Sequence, residues 1–314
     1  MERDTQYHAP VMVLEVLEYL APRPGGLYVD CTLGGGGHTE ALLEHPAGIG
    51  EVLGIDQDAE ALEASGERLA RFGKRFRALR GNFGDLPDLL NEAGVLEVDG
   101  VLMDLGVSSR QLTGGGRGFS FRAAEPLDMR MDASSGETAA QLLARLSERE
   151  LSRVLREYGE ERWAARIAAF LVKEREASSI NTTDHLARVV AAAVPRGAWP
   201  PETHVATRTF QALRLAVNQE LEVLEQGLAA AVQHLRVEGR VVVISYHSLE
   251  DRIVKRRFQE LGRGCTCPPR MPKCVCGRSP MLHMLTRRPI TASPEEVSAN
   301  PRARSAKLRA GCRL

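Results

Sequence analysis

The segment Tyr28-Val29-Asp30-Cys31-Thr32-Leu33-Gly34-Gly35-Gly36-Gly37-His38-Thr39 constrains the fold more than any other part of the chain. An apolar run enters four consecutive glycines and leaves as helix-forming sequence, and residues without a Cβ let bare backbone close on a ligand. A second apolar run, Glu51 to Ile55, ends in Asp56-Gln57-Asp58. It puts an acid roughly twenty residues past the glycines, the spacing at which a carboxylate reaches ribose hydroxyls in Rossmann-like folds. Together these features predict an adenosine-containing cofactor. A plain connecting loop is the alternative for the glycines alone.

What the run lacks narrows the ligand. The dinucleotide pattern G-x-G-x-x-G/A fails in both registers, because Thr39 and Glu40 occupy the sixth position. A P-loop needs Gly-Lys-Ser/Thr, and here His38-Thr39 follows Gly37. The arrangement Asp30, Gly34, Gly36 suits a ligand with an amino-acid end and no pyrophosphate, since a carboxylate attracts an ammonium. S-adenosylmethionine meets that description.

Short apolar strands alternate with amphipathic helices, which predicts an α/β fold with a parallel doubly wound sheet. Strands are expected at Leu27 to Cys31, Glu51 to Asp56, Phe76 to Gly81, Asp99 to Leu105 and Arg240 to Tyr246. Ligands in such sheets lie beyond the carboxyl ends of the strands, where Gly34 to His38, Asp56, Asn82-Phe83 and Asp104 fall. After the fourth strand about a hundred residues intervene before the next one, too many for a crossover loop. Their interior reads as helices at Thr138 to Leu143, Glu148 to Tyr158, Glu161 to Ala177 and Thr183 to Val194. The chain is therefore expected to form one discontinuous sheet domain, 1–110 and 206–314, interrupted by an all-helical insertion at 111–205. One long helix, Ala206 to Leu235, is expected to lead back to the sheet.

With 43% hydrophobic and 26% charged residues the chain of 314 has the composition of a soluble globular protein large enough for a real core. The start is polar, Glu15 and Glu18 interrupt the next apolar stretch, and no apolar run has the length of a membrane span, so a cytoplasmic protein without a membrane partner is expected. Net charge is zero, which excludes a globally basic nucleic-acid binder. From Arg252 onward, however, fifteen lysines and arginines face three acids, Glu260, Glu295 and Glu296. Such asymmetry suits a phosphate backbone; a solvated basic surface is the alternative.

Cys265, Cys267, Cys274 and Cys276 form two Cys-x-Cys pairs with six residues between them. This is a tetrathiolate pattern, and Arg270, Lys273 and Arg278 favour thiolate over thiol. A structural zinc ion fits it, as do free thiols; disulfides are disfavoured in a reducing compartment. Cys31 reads as a buried small residue.

Several motifs in order carry a resemblance: His8-Ala9-Pro10-Val11, the glycine run with His38, Asp104-Leu105-Gly106-Val107-Ser108-Ser109, Gly118-Phe119-Ser120-Phe121, Pro126-Leu127-Asp128-Met129-Arg130-Met131-Asp132, Tyr158-Gly159-Glu160-Glu161-Arg162, Thr207-Arg208-Thr209-Phe210-Gln211-Ala212-Leu213-Arg214, His247-Ser248-Leu249-Glu250-Asp251-Arg252 and Asn300-Pro301-Arg302-Ala303-Arg304-Ser305. The ordered set resembles the bacterial small-subunit ribosomal RNA cytosine-N4 methyltransferases of the RsmH (MraW) type, from about residue 7 to 310. The resemblance implies a Rossmann-like class I methyltransferase sheet with a helical domain for RNA recognition and S-adenosylmethionine as methyl donor. As acceptor it implies a cytidine in the decoding region of 16S ribosomal RNA, in the small ribosomal subunit. Carried over by position, the cofactor contacts would be Gly36, Gly37, His38, Asp56, Phe83, Asp104 and Gln111.

Cytosine N4 is a poor nucleophile because its lone pair is delocalised into the ring, so acceptors that grip the amino hydrogens are needed. Asp104 is the first candidate, supported by Ser108 and Ser109. Many amino-methyltransferases place Asp/Asn/Ser-Pro-Pro-Tyr/Phe at that point, and this chain has Asp-Leu-Gly-Val-Ser-Ser instead. Base stacking must then come from Phe119, Phe121, Tyr246 or His247, with core packing the alternative for Phe119. Arg130 reads as a contact to RNA phosphate or the flanking nucleotide, with an ion pair to Asp128 or Asp132 as the competing reading. A nicotinamide oxidoreductase, a non-catalytic ribosome-assembly factor and a methyltransferase with another acceptor are the rival functions.

Overall fold

The computed structural model describes residues 10–108, 111, 116–121, 123–265, 267–268, 271, 273 and 275–314. The chain divides into two compact units, Met1–Gly106 with Leu221–Leu314, and Val107–Glu220.

In the first unit, helix α1 (Val13–Leu20) precedes β1 (Leu27–Asp30), α2 (Gly37–Glu44), β2 (Glu51–Asp56), α3 (Ala59–Leu69), β3 (Phe76–Arg80), α4 (Leu86–Glu92) and β4 (Val98–Asp104). β1 to β4 are parallel in the order β3-β2-β1-β4. Strand β4 is buried from Val98 to Met103, the near-continuous apolar run expected of a strand covered on both faces. Its alternate residues part to opposite cores: Val101 and Met103 join Val29, Leu53 and Leu86 on one side, while Leu102 joins Tyr28, Val16 and Leu42 on the other. Each such side chain contributes about 1.5–3 kcal/mol on burial, so the two-sided core fixes the sheet. Gly100 is required where the Tyr28 ring crosses β4, since a Cβ there would lie 2.6 Å from Tyr28 Cδ1.

The second unit holds α5 (Ala139–Arg145), α6 (Glu148–Glu157), α7 (Ala164–Ala177), α8 (Thr183–Ala193) and α9 (Thr207–Asn218). Capping boxes start α5 (Thr138 with Gln141) and α6 (Ser147 with Glu150), satisfying backbone N–H groups that the helices leave unpaired. Leu142, Leu151, Leu155, Ile167, Leu186 and Leu213 are among the residues of its own apolar core.

The chain returns to the sheet later than the expected residue 206. The single helix anticipated from Ala206 to Leu235 is two: α9 ends at Gln219, whose backbone is left-handed at φ 50°, and α10 (Glu220–His234) begins again. Thr207–Asn218 belongs to the second unit because Phe210, Ala212 and Leu213 pack into that core. The break is bracketed by Arg214, whose Nε and Nη2 donate to Glu220 at 2.8 and 2.9 Å, and by Asn218, whose side chain meets the Met129 carbonyl and the Met131 N–H, each at 2.8 Å. Helical periodicity runs straight through it, so the pattern carries no trace of the break.

β5 (Leu235–Ser245) then lies parallel to β4, followed by α11 (Ser248–Gly262), β6 (Leu282–Met284), β7 (Ile290–Thr291), α12 (Pro294–Ala299) and β8 (Lys307–Arg313). The finished order is β3-β2-β1-β4-β5-β8-β6, with β7 also on β8. The sheet is thus not wholly parallel: β8 inserts antiparallel between β5 and β6. Its charge concealed it, because Lys-Leu-Arg-Ala-Gly-Cys-Arg reads as a basic tail. Arg309 is nevertheless buried, its Nε donating to Asp251 Oδ1 at 2.6 Å. Part of the cationic C-terminal stretch is therefore structural: Arg313 also donates to the Val232 carbonyl, and Arg256 pairs with Glu225.

Candidate active site

Three of the four glycines are set by local demands. Gly34 and Gly36 are left-handed at φ 49° and 75°, and a Cβ on Gly37 would stand 3.0 Å from Pro10 Cγ. Gly36 caps α2, and its own Cβ would meet Leu69 of α3 at 3.0 Å. The loop is held from β2: Gly34 N–H donates to Asp56 Oδ2 and Asp58 N–H to Oδ1, both at 2.9 Å. Burial, reinforced by the Asp58 and Asp30 carboxylates, pushes the Asp56 carboxyl up to about 6 despite those two N–H groups.

A carboxylate cluster joins the ends of β1, β4 and β5. Asp30, 1% exposed, accepts from Thr39 Oγ1 at 2.8 Å and from Thr32 N–H at 3.1 Å. Thr32 in turn accepts the Asp104 backbone N–H on Oγ1 at 2.7 Å, locking the strand ends in register. Asp104 receives the Tyr246 hydroxyl on Oδ1 at 2.7 Å, and His38 Nε2 lies 3.4 Å from its Oδ2. Burial lowers the His38 pKa, but the Asp104, Asp30 and Glu296 carboxylates outweigh it and hold the imidazole above its ordinary value. Tyr246 is pushed well above the usual phenol range by burial and by Asp104.

Tyr246 and His247 lead into α11, where Glu250, 2% exposed, accepts both their backbone N–H groups on Oε2 at 2.8 and 3.3 Å. His247 caps the same helix, so its ring has a structural duty: Nδ1 accepts the Glu250 N–H at 3.4 Å. Thr32, Glu250 and Glu296 escaped sequence reasoning. The spacing His247-x-x-Glu250, a capping box with an unusual cap, was the available signal for Glu250. Glu296 accepts the Met12 N–H at 2.6 Å, a pairing across the chain with no local signature.

Phe83 sits in a short 3-10 turn after β3 and packs on α10, where Gly227 makes the room: a Cβ there would stand 2.5 Å from Phe83 Cδ2. In the second unit, Ser108 and Gln111 bind each other, Ser108 N–H donating to Gln111 Oε1 at 3.0 Å and Gln111 N–H to Ser108 Oγ at 3.3 Å. Ser109 lies outside the described residues. Phe121 stacks on His204 with centroids 4.6 Å apart and meets Phe210 edge-on at 5.2 Å, while Phe119 is 8% exposed within the core. Arg130 forms the ion pair, not an open cation: Nε and Nη2 grip Asp128 at 2.7 and 2.8 Å, and Nη1 faces the Ser135 and Gly136 carbonyls at 3.4 and 3.5 Å. Cys265, Cys267 and Cys276 converge, and Cys274 lies outside the described residues.

The doubly wound sheet with an antiparallel strand next to β5, a glycine loop after β1 and acids ending β2 and β4, is the Rossmann-like class I methyltransferase fold. A model of the MraW methylase family matches residues 5–313. The chain is 56% identical over 308 residues to the ribosomal RNA small subunit methyltransferase H of Trichlorobacter lovleyi, covering 98% of each. It is 56% identical over 307 residues to the protein of that name from Geobacter sulfurreducens, covering 98% of this chain and 99% of the relative. With the Symbiobacterium thermophilum protein of that name it shares 51% over 308 residues, 98% and 97% of the two. The chain belongs to the MraW methylase family.

Proposed function

We propose that this protein is an S-adenosylmethionine-dependent methyltransferase acting on N4 of a cytidine in the decoding region of 16S ribosomal RNA, in the cytoplasm where small ribosomal subunits are found. The observation that carries the reading is the Asp104 cluster: a carboxylate at the end of β4, steadied by Tyr246 and flanked by His38, beside the glycine loop that Asp56 anchors. Family membership and the names of the relatives support the ribosomal substrate.

The residues present fit the cofactor. Left-handed glycines leave the backbone at the end of β1 unobstructed by side chains, and Asp56 keeps lone pairs beyond the two that its own loop uses. Gly36, Gly37 and His38 would hold it with Asp56 on the ribose, Phe83 by the adenine, and Asp104 and Gln111 beyond. Bound there, it supplies an electrophilic methyl group on a sulfonium.

The protein's own work is on the acceptor. Each Asp104 oxygen can accept more than one hydrogen bond, so the carboxylate can grip an exocyclic amine while Tyr246 stays in place. Such bonds draw the nitrogen lone pair out of the ring and fix its direction, which is where near-attack geometry lowers the barrier. The amine sheds a proton as it is alkylated; in this reading Asp104 takes it, and His38, whose imidazole the neighbouring carboxylates hold above its ordinary value, lies against that carboxylate. Ser108, tied to Gln111, and Ser109 after it in the chain are the further candidates for holding the acceptor. Phe121, Tyr246 and His247 are the residues of this chain that such a reading offers to a base outside its stack. Arg130 orders the Pro126-to-Asp132 turn through Asp128.

Labelled donor incubated with small ribosomal subunits lacking the modification, followed by mass analysis of RNA fragments, is expected to place one methyl group on a single cytosine N4. Label on protein, on another base or nowhere overturns the reading.

A further inference from the structure

The loop between α11 and β6 takes no part in the chemistry above, yet it gathers sulfur. We propose that it is a structural zinc site with Cys265, Cys267 and Cys276 as thiolate donors and Cys274, by its place in the second Cys-x-Cys pair, as the fourth. The three described sulfurs all lie within 4.8 Å of one another, and those of Cys265 and Cys276 are 3.8 Å apart. Four sulfurs arranged tetrahedrally about 2.3 Å from a zinc ion are about 3.8 Å from each other, whereas a disulfide would bring two of them to about 2.0 Å. The Cys265–Cys276 separation matches such a cage and is far too long for a covalent bridge.

The surroundings suit a zinc tetrathiolate, which carries two net negative charges. Backbone N–H groups of Cys267 and Val275 point at the sulfurs of Cys265 and Cys267, each at 3.4 Å, the kind of outer partner that orients metal-bound thiolates. Arg263, Lys273 and Arg278 are exposed on the same loop and offset the charge. Among the described residues of the loop apolar packing supplies little to hold it, since Met271 is 45% and Val275 73% exposed. A short segment without a core of its own needs a staple to keep several cysteines together.

The test is metal content, independent of methyl transfer. Protein purified without chelator is expected to hold one zinc per chain by elemental mass spectrometry. Cys265→Ser and Cys276→Ser are expected to hold substoichiometric zinc. Cobalt titrated into demetallated, reduced wild type is expected to give thiolate charge-transfer absorption and the visible bands of a tetrahedral site. Chelation is expected to speed tryptic cleavage after Lys273 and Arg278. β6 is the edge strand farthest in the sheet from β3, while the cofactor residues end β1, β2 and β4, so both variants should keep wild-type affinity for S-adenosylhomocysteine and thereby report that they are folded. Wild type without stoichiometric metal and without cobalt bands overturns the proposal, as does full zinc retention by folded variants.

Discussion

Lowering the pH through about 6 protonates Asp56, and with it the acceptor proposed for the ribose. With that value, the carboxyl is about 99% ionised near pH 8 and about 10% ionised near pH 5. If only the ionised form receives the ribose hydroxyls, the dissociation constant for S-adenosylhomocysteine rises about tenfold over that interval, about 1.4 kcal/mol. The sign for stability is opposite. The carboxyl is raised from 3.8 in the fold, so its favourable contribution is present below that value and is lost as pH rises through about 6, up to about 3 kcal/mol in all. The unliganded protein should therefore become less stable over the range in which it binds more tightly, as a group kept ionised for a ligand would dictate. Calorimetry at several pH values and matched ionic strength measures the first effect, and thermal unfolding the second. His38 also titrates, so Asp56→Asn is the control: it should flatten the binding profile and weaken affinity near pH 8 by about 1.5–3 kcal/mol. A flat wild-type profile, or a variant that keeps the full tenfold dependence, refutes the assignment.

Asp104→Ala is expected to lower methyl transfer by more than about 100-fold while RNA binding persists in a filter assay. Tyr246→Phe removes only the hydroxyl on Asp104 Oδ1 and should cost about 1–2 kcal/mol in kcat/KM. Gly227→Ala drives a Cβ into the Phe83 ring and should destabilise the first unit by about 1–3 kcal/mol in denaturant unfolding, with Phe83→Leu relieving part of the loss. Arg130→Ala is expected to leave the salt dependence of RNA binding unchanged, because its guanidinium is committed to Asp128 and two carbonyls; a slope shallower by about 0.7–0.9 would show a phosphate contact instead.

What the sequence made legible were features whose cause is local. An apolar run ending in glycines must turn, so the β1 loop could be placed, and Asp56 and Asp104 followed because they end apolar strands. Capping residues in the insertion are local signals of the same kind, Ser147 ahead of Glu148 being the clearest. What stayed hidden depends on partners far along the chain. Arg309 makes β8 a buried strand only because Asp251 faces it, and the left-handed Gln219 has no signature because its neighbours on both sides are ordinary helix formers. The candidate site divides the same way. Single residues at strand ends could be named, whereas their coupling could not: Thr32 ties Asp104 to the end of β1, Tyr246 follows β5, and Glu250 fixes Tyr246 through its backbone. Phosphate-binding loops carry their chemistry in one contiguous run, and a motif search finds them. Here the acid on β4 is set by hydroxyls and a histidine from three separate segments, so the protonation and direction of the acceptor carboxylate are properties of the folded sheet.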